Sequence, residues 1–511
     1  MCRARFDCIS RMWSTGWPVL LLFYKADDHD ECGRRGHCMR KLTGLEKWSY
    51  AIGNMPFSVK DAAFVNFVVF YYTQVLGLSG TLTGLAMFVA LTWDAISDPV
   101  VGSWSDTLRT RWGRRHPLLV AGGLPTALLF LALFNPPDDL EQMGIFIWLL
   151  GVSILLRTFL TIYFIPYSAM GAELSADYDE RTIIAKARVT MAWLAGMLMP
   201  AIGFAVIFQS NSDVDGRLVQ ANYVEYGVLS AVLAGVTVVI CVLGTRSTIP
   251  HLPQADADDG PFSLLRPITD MRVAFSNRKF LLVTCAGLAF GIAAGVYATL
   301  SLYIGTYFWE LSTDQLAGMV IPTFIATLLG FGVLARIGQR VDKPRMLLAA
   351  CVLLALNVFI SLGARLLGFL PPNGVTLIYL WVLCTTGVGV FALVTLHVVT
   401  ASLTADLLDE QELATGRRQE GVFFAAGAFL LKATTGLGAM LAGVVIDLVG
   451  LSPGLEPGSV AAEVLQQLGW FTIVLTGGMA LVGGAFYLKV RMTREDLAQI
   501  RRRLQERVSN E

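Results

Sequence analysis

The segment WDAISDPVVGSWSDTLRTRWGRRHP, residues 93–117, ends a long apolar run with two carboxylates, Asp94 and Asp98, and then delivers Arg109, Arg111, Arg114 and Arg115 in quick succession. A helix places residues i and i+4 on one face, so the two acids can converge on one ligand. Two carboxylates joined by neutral oxygens make a site for a small hard cation, and Thr161, from another apolar run, offers a hydroxyl to it. Few other ionisable groups interrupt the apolar sequence: Lys60 and Asp61 are adjacent in the first run, Arg157 lies in the fourth and Lys432 in the eleventh. Groups of this kind are costly in a bilayer and are functional candidates for that reason. The plainer alternative is that Asp94 and Asp98 pair with Arg157 or Lys432 and merely lock helices together. Two acids one turn apart, followed by Pro99, favour function, with Lys432 competing with or sensing a bound cation and so coupling its occupancy to conformation. Arg157 keeps two readings open: a salt bridge to Asp94 or Asp98, or a guanidinium that binds a substrate carboxylate.

Such residues must be positioned by elements that cross a membrane. The chain has 511 residues, 55% of them hydrophobic and 15% charged, with a mean hydropathy of +0.60, values foreign to soluble domains. A hydrocarbon core of ~30 Å needs ~20 helical residues. Uncharged runs of that order recur at 118–137, 189–212, 226–245, 280–309, 315–335, 346–364 and 464–488. The longest, 62–93, divides at GLSG (77–80) into two helices, and 366–405 supplies one after the PPNG turn at Pro371. The runs 142–172 and 421–451, each carrying a single central charge, complete twelve spans. The expected fold is therefore an all-α membrane protein arranged as six plus six. Its divisions are a leader at 1–38, a first bundle at 39–246, a linker at 247–279 containing HLPQADADDGPF, a second bundle at 280–492 and a tail at 493–511.

Basic residues set the orientation. Arg109, Arg111, Arg114 and Arg115 follow the second span, Arg181, Lys186 and Arg188 the fourth, Arg336, Arg340, Lys343 and Arg345 the eighth, and Arg417 and Arg418 the tenth. The alternate loops carry Asp138, Asp139, Asp213, Asp215, Glu456 and Glu463. Both termini are expected in the cytoplasm. With net charge zero and its basic residues spread over loop ends, the chain offers no footprint for nucleic acid. Cys241, Cys285, Cys351 and Cys384 read as small apolar residues within spans, and no structural disulfide is expected. The leader holds Cys2, Cys8, Cys32 and Cys38 with His29 and His37, in a spacing that matches no common zinc pattern. The expectation there is a functional chain that starts at Met39.

The longer pattern D-P-x-x-G-x-x-S-D-T followed by R-x-R-W-G-R-R-H-P resembles the signature between the second and third helices of the glycoside-pentoside-hexuronide:cation symporters, a branch of the major facilitator superfamily. The resemblance extends to GNMPFSVKDAAF and YYTQVLGLSG in the first helix, IPYSAMGAELSADYDERT after the fourth, and ADLLDEQELATGRRQEGVFFAAGAFLLK leading into the eleventh. It implies two pseudo-symmetric six-helix bundles around a central cavity, and import coupled to sodium, lithium or protons by alternating access. Under it, Asp94, Asp98 and Thr161 correspond to the cation site, Lys432 to a lysine beside it, and Asp61 to an acid that hydrogen-bonds sugar hydroxyls. Lys60, Arg157 and Phe164 join the substrate group on this chain's own residues, Arg157 being extra to the family pattern. Two departures fall on the sugar side. Phe164 stands where the family places a second sugar-binding acid before Ile-Pro, and Ser168 stands where it places an aromatic. A galactoside is thereby disfavoured, while another glycoside or a uronide fits. A lysolipid or other amphipathic solute is the competing substrate class, and Phe164 leans that way.

No nucleophile-base pair, metal-ligand cluster or phosphate-cradling loop suggests an enzyme, and the short tail leaves a non-transporting sensor without a signalling domain. The expected protein is a secondary transporter, acting as a monomer in the bacterial inner membrane, with no cofactor beyond the coupling ion. Asp106, Arg109, Arg111, Arg114 and Arg115 are expected to hold one cytoplasmic gate conformation through pairs with nearby helix ends.

Overall fold

In hydrocarbon every backbone N–H and C=O must find an internal partner, and an uncharged run long enough to cross can do so only as a helix or in a closed barrel. The computed structural model describes residues 41–175, 177–210, 214–252, 277–415 and 420–510, and all regular structure among them is helical. The leader at 1–38, most of the linker, Asp213, Arg417 and Arg418 lie outside the described residues.

A short helix α1 (Gly44–Ile52) opens on a capping box in which Thr43 and Glu46 satisfy each other's backbone donors. It is followed by α2 (Met55–Ala63), which continues through two π-helical segments, Phe64–Val68 and Tyr71–Val75. Then come α3 (Gly80–Thr107), α4 (His116–Phe134), α5 (Gln142–Glu173), α6 (Tyr178–Ile202) and α7 (Gln220–Gly244). The later part contains α8 (Arg278–Tyr303), a single turn α9 (Thr313–Ala317), α10 (Val320–Ile337), α11 (Lys343–Leu366), α12 (Thr376–Thr415) and α13 (Glu420–Leu448). Helices α14 (Ala462–Thr472) and α15 (Gly478–Tyr487) are joined through the π segment Ile473–Gly477, and α16 (Arg494–Asn510) forms the tail.

Eleven of the described helices are long and apolar enough to cross a membrane. The sequence expectation of twelve differs at the first run: α2 and its π segments are helical over 55–75, but the register changes twice, so the run is not one uniform α-helix. Both expected turns are present, with Gly77 at φ 70° and Gly374 at φ 88°, a backbone region open to glycine at no steric cost. Two loop assignments move into helices. Arg181, Lys186 and Arg188 belong to α6, because Asp177 caps it by accepting from the Glu180 amide and thereby starts the helix ahead of the basic residues. Lys343 and Arg345 likewise open α11.

Packing sets the site through one helix pair. Helices α3 and α13 approach so closely that a Cβ on Gly443 would lie 2.1 Å from the Gly80 carbonyl oxygen, and one on Gly80 would lie 2.4 Å from that of Gly443. Helix α13 meets α8 in the same manner, through Gly295 and Gly438. Small residues let backbones touch where lipid offers no hydrophobic drive for association. By contrast α10 turns Ile321, Phe324, Ile325, Leu328 and Leu329 outward, the lipid-facing surface expected of a span.

Candidate functional site

Helix α3 presents Asp94 and Asp98 one turn apart, α5 presents Arg157 and Thr161 at the same spacing, and α13 presents Lys432. The structure brings these five side chains together. The Thr161 hydroxyl lies 3.2 Å from Asp94 Oδ1 and 3.2 Å from Asp98 Oδ1. Lys432 Nζ lies 2.5 Å from Asp98 Oδ2 and 3.1 Å from Asp94 Oδ2, and Arg157 Nη1 donates to Asp94 Oδ2 at 3.3 Å. Asp94 and Arg157 are buried, whereas the Asp98 and Lys432 side chains keep 29% and 27% exposure. The cluster holds two acids and two bases, so its formal charge is zero while each carboxylate retains a cationic partner. The ammonium of Lys432 therefore sits where both carboxylates converge with a hydroxyl, as a small cation would.

Lys60 and Asp61, on α2, pair at 2.5 Å, and the Lys60 charge also acts on Asp94. Lys60 is buried with its ammonium 4.3 Å from the centre of the Phe57 ring, and the Asp61 carboxylate is half exposed. Phe164 does not stand alone either: it stacks on Phe57 at 4.2 Å between ring centres. The Arg157 guanidinium lies over Phe64 at 4.6 Å, and its Nε has no hydrogen-bond partner among the described residues. Ser168 accepts from Arg188 Nη1 at 3.1 Å. Phe57 and Phe64 are not among the sequence candidates, and Arg188 figures there only as a charge that sets orientation. Phe57 precedes Lys60 by three residues, a helical neighbour spacing that was the available signal; Arg188 had none.

The arginine cluster splits. Arg114 Nη2 pairs with Glu173 Oε1 at 2.8 Å, and Arg115 Nη2 bridges Glu173 Oε1 at 2.6 Å and Asp106 Oδ1 at 2.8 Å while its Nη1 donates to Ser105. Burial opposes charge on Arg115, yet Glu173 and Asp106 outweigh it and hold the guanidinium above its ordinary value. Arg109 and Arg111 remain exposed. The partner Glu173 closes α5 and so ties the α3–α4 connection to that helix end.

The opposite end of the bundle carries contacts between the first and second halves of the chain. Arg217 Nη1 donates to Thr306 Oγ1 at 3.0 Å and to the Leu311 carbonyl at 2.9 Å while the guanidinium pairs with Asp215. Burial opposes ionisation of Asp215, but the Arg217 donors hold its carboxyl below the usual range. Tyr307 donates to Gln74 at 3.0 Å, and Thr73 bonds the Tyr303 hydroxyl. Asp447, near the end of α13, accepts from the Gly80 and Thr81 amides at 2.7 and 2.8 Å and from Ser79 Oγ at 2.8 Å, capping α3 from another helix.

A bundle of spans with buried charge inside it and hydrogen bonds joining the two halves of the chain at one end fits a membrane carrier of the major facilitator class. The chain matches the MFS/sugar transport protein family model over residues 49–494; it belongs to that family, the melibiose-carrier-like cation symporters. It is 25% identical to a symporter of Synechocystis sp. over 92% of this chain and 98% of that one. It is 20% identical to the isoprimeverose transporter of Lactiplantibacillus pentosus over 86% and 88%, and 25% identical to sodium-dependent lysophosphatidylcholine symporter 1 of Mus musculus over 56% and 58%. The fold is similar to that of the Escherichia coli xylose transporter in its inward-open conformation, with a TM-score of 0.57 at 14% identity, covering 89% of this chain and 98% of that one. The protein is a multi-pass membrane transporter of small molecules, not an enzyme.

Proposed function

We propose that this chain is a cation-coupled symporter of a sugar, glycoside or uronide, in which Asp94, Asp98 and Thr161 hold the cation and Lys432 competes for the same place. The observation that carries the reading is the Lys432 ammonium bridging both carboxylates, at 2.5 and 3.1 Å, beside the Thr161 hydroxyl. An arriving sodium ion, or a proton or lithium ion in its stead, displaces Lys432; this frees the contact between α3 and α13 and biases the protein toward its other conformation. Substrate binds through Asp61, Lys60 and Arg157 against the Phe57–Phe164 stack. Linkage then requires substrate to tighten cation binding by the factor by which cation tightens substrate.

The two six-helix bundles, 39–246 and 280–492, rock about this site. In the proposed orientation both termini are cytoplasmic, the Arg217 end faces outward and is closed, and the partial exposure of Asp98 and Lys432 supports access from the cytoplasm. The protein works as a monomer. Proteoliposome uptake of glycosides, uronides and lysolipids, with and without a sodium or proton gradient, tests the reading. Uptake of a sugar-headed solute should be stimulated by one gradient, and Asp98→Asn should abolish that stimulation while cation-independent binding survives. Wild-type coupling in Asp98→Asn would return the acid pair to a purely structural role. Transport of an amphipathic lysolipid is the second reading, supported by the Phe57–Phe164 stack in place of an acid and by the mouse relative.

A further inference from the structure

Helices α11 and α15 meet along a seam in which a Cβ on Gly484 would lie 3.2 Å from Cys351 Cβ and 3.3 Å from Leu348 Cδ1, and one on Gly477, just before α15, would lie 3.6 Å from the Ala355 carbonyl oxygen. Residue numbers fall on one helix as they rise on the other, so the pair is antiparallel. Each helix carries an exposed apolar stripe beside the seam: Val352 and Phe359 on α11, Leu481 and Leu488 on α15. Residues seven apart share a helix face, so each stripe runs along its helix. Each stripe is also rotated from its seam residues in the same sense, and on antiparallel helices such rotations open to one side. The two stripes are therefore the walls of one outward-facing furrow, with Gly484 at its floor.

One end of the furrow is cationic. Arg345 stands seven residues before Val352 on the same stripe, with its side chain 79% exposed. Lys489 follows Leu488 directly. Val490 and Met492 are buried and root the segment after α15, leaving Lys489 and Arg491 exposed on either side of Val490. Because Gly484 touches Leu348, one turn toward this end brings Arg345 level with Leu488 and Lys489. Asp342 reaches Arg345 Nη1 at 3.5 Å, an exposed contact of little strength. Asp496, on α16, is taken by the Thr493 amide at 2.9 Å. Lys489 and Arg491 have no ion pair among the described residues.

Basic side chains at the end of a lipid-facing stripe lie at the depth of bilayer phosphates, and a basic pocket between spans suits a phospholipid headgroup. Topology alone accounts for scattered basic residues at span ends; it does not account for three of them closing one furrow. Phosphatidylcholine brings its own cation beside its phosphate and leaves such a cluster uncompensated, whereas an anionic phospholipid balances it. We infer that the furrow between α11 and α15 binds an anionic phospholipid, its phosphate among Arg345, Lys489 and Arg491 and an acyl chain against Val352, Phe359, Leu481 and Leu488. The bound lipid ties the start of α11 to the end of α15 and so steadies the second half of the chain.

The test uses the full chain in nanodiscs of phosphatidylcholine with a rising fraction of phosphatidylglycerol, and follows hydrogen exchange at 343–349 and 487–493. Protection at both segments should rise with phosphatidylglycerol. Arg345→Gln with Lys489→Gln should weaken that response roughly thirtyfold, taking about fivefold for each cationic side chain near an anionic surface. Arg502→Gln with Arg503→Gln removes the same charge from exposed positions on α16 and should leave the response within about twofold of wild type. Lys489→Gln alone, in the turn after α15, should weaken it about fivefold and serves should the double variant not fold. Protection that does not rise with phosphatidylglycerol, a response unchanged in the folded furrow variants, an equal loss in the α16 variant, or the same protection from inorganic phosphate in pure phosphatidylcholine discs overturns the inference.

Discussion

The two ends of the helix bundle are fastened in opposite ways. At the end formed by residues 76–79, 209–210, 214–219, 309–312 and 449–461 the contacts join the two halves of the chain: Arg217 to Thr306 and Leu311, Tyr307 to Gln74, and Asp447 to the first amides of α3. At the other end the ion pairs run within a half: Arg114 and Arg115 to Glu173, Lys279 to Glu410, and Lys343 to Asp406. Ion pairs that stay inside a half stiffen it as a body. The cross-half contacts are single hydrogen bonds, worth ~0.5–1.5 kcal/mol where neutral, as between Tyr307 and Gln74, and ~1.5–3 kcal/mol where they involve the Arg217 or Asp447 charge, enough together to hold the end and small enough singly to release it. The exception among them is Arg217, a buried and ion-paired charge that serves both its own half, through Asp215, and the other.

That exception should show the largest effect. Arg217→Ala leaves Asp215 buried without its counter-charge, a loss of ~3–5 kcal/mol for such pairs, so the sealed end should open. Hydrogen exchange over 215–223 and 303–311 should accelerate by roughly a hundredfold, taking ~3 kcal/mol, and unchanged exchange would erase the contrast between the ends. The same pair fixes an acid limit. The Asp215 carboxyl is depressed in the folded chain, so its stabilisation is complete above the ordinary carboxylate pKa of ~3.9 and is lost as pH falls through the lower folded value; protection relative to the intrinsic exchange rate should be flat from neutrality down to about that pH.

A smaller effect is expected at the opposite end. Arg114→Gln with Arg115→Gln removes charged hydrogen bonds of ~1.5–3 kcal/mol each from within one half, so transport should slow by roughly tenfold. Equilibrium substrate binding should stay within about twofold. Collapse of binding in a normally inserted variant would show that these arginines shape the site and do not merely steady a helix end. Least of all should change in Asp447→Asn, where the amide oxygen can still accept from one α3 amide but the NH2 group cannot accept from the other. The lost hydrogen bond is exposed, so ~0.5–1.5 kcal/mol translates to a two- to tenfold shift in exchange at 79–83, and a hundredfold shift would make Asp447 the dominant latch in place of Arg217.

Much of the site was legible because helical periodicity is local. The i, i+4 spacing of Asp94 and Asp98 on a charge-free run, and of Arg157 and Thr161 on another, needs no knowledge of packing to put each pair on one face. The Phe57–Phe164 stack was not legible, since it joins residues on different helices through side-chain geometry alone. Arg217 carries no sequence signal: it lies in the polar stretch DVDGR, and its 3% exposure is set by Asp215 and by the Thr306 and Leu311 oxygens that surround it. Asp447 reads as one more acid at a span end, and its role as the cap of α3 depends on a helix more than 300 residues earlier in the chain.

Apolar runs of spanning length have few other ways to satisfy their backbones, so composition and spacing alone make the chain a bundle of membrane-crossing helices. They also pick out the residues that put charge inside that bundle, since each one is an isolated break in an uncharged run. Packing sets the rest: which charges meet, that Lys432 enters the acid pair from α13, that Arg157 engages Asp94, and at which end the two halves are joined. Those outcomes follow from the close crossing of α3 and α13 at Gly80 and Gly443, where contact between distant segments sets the partners and no local pattern records it.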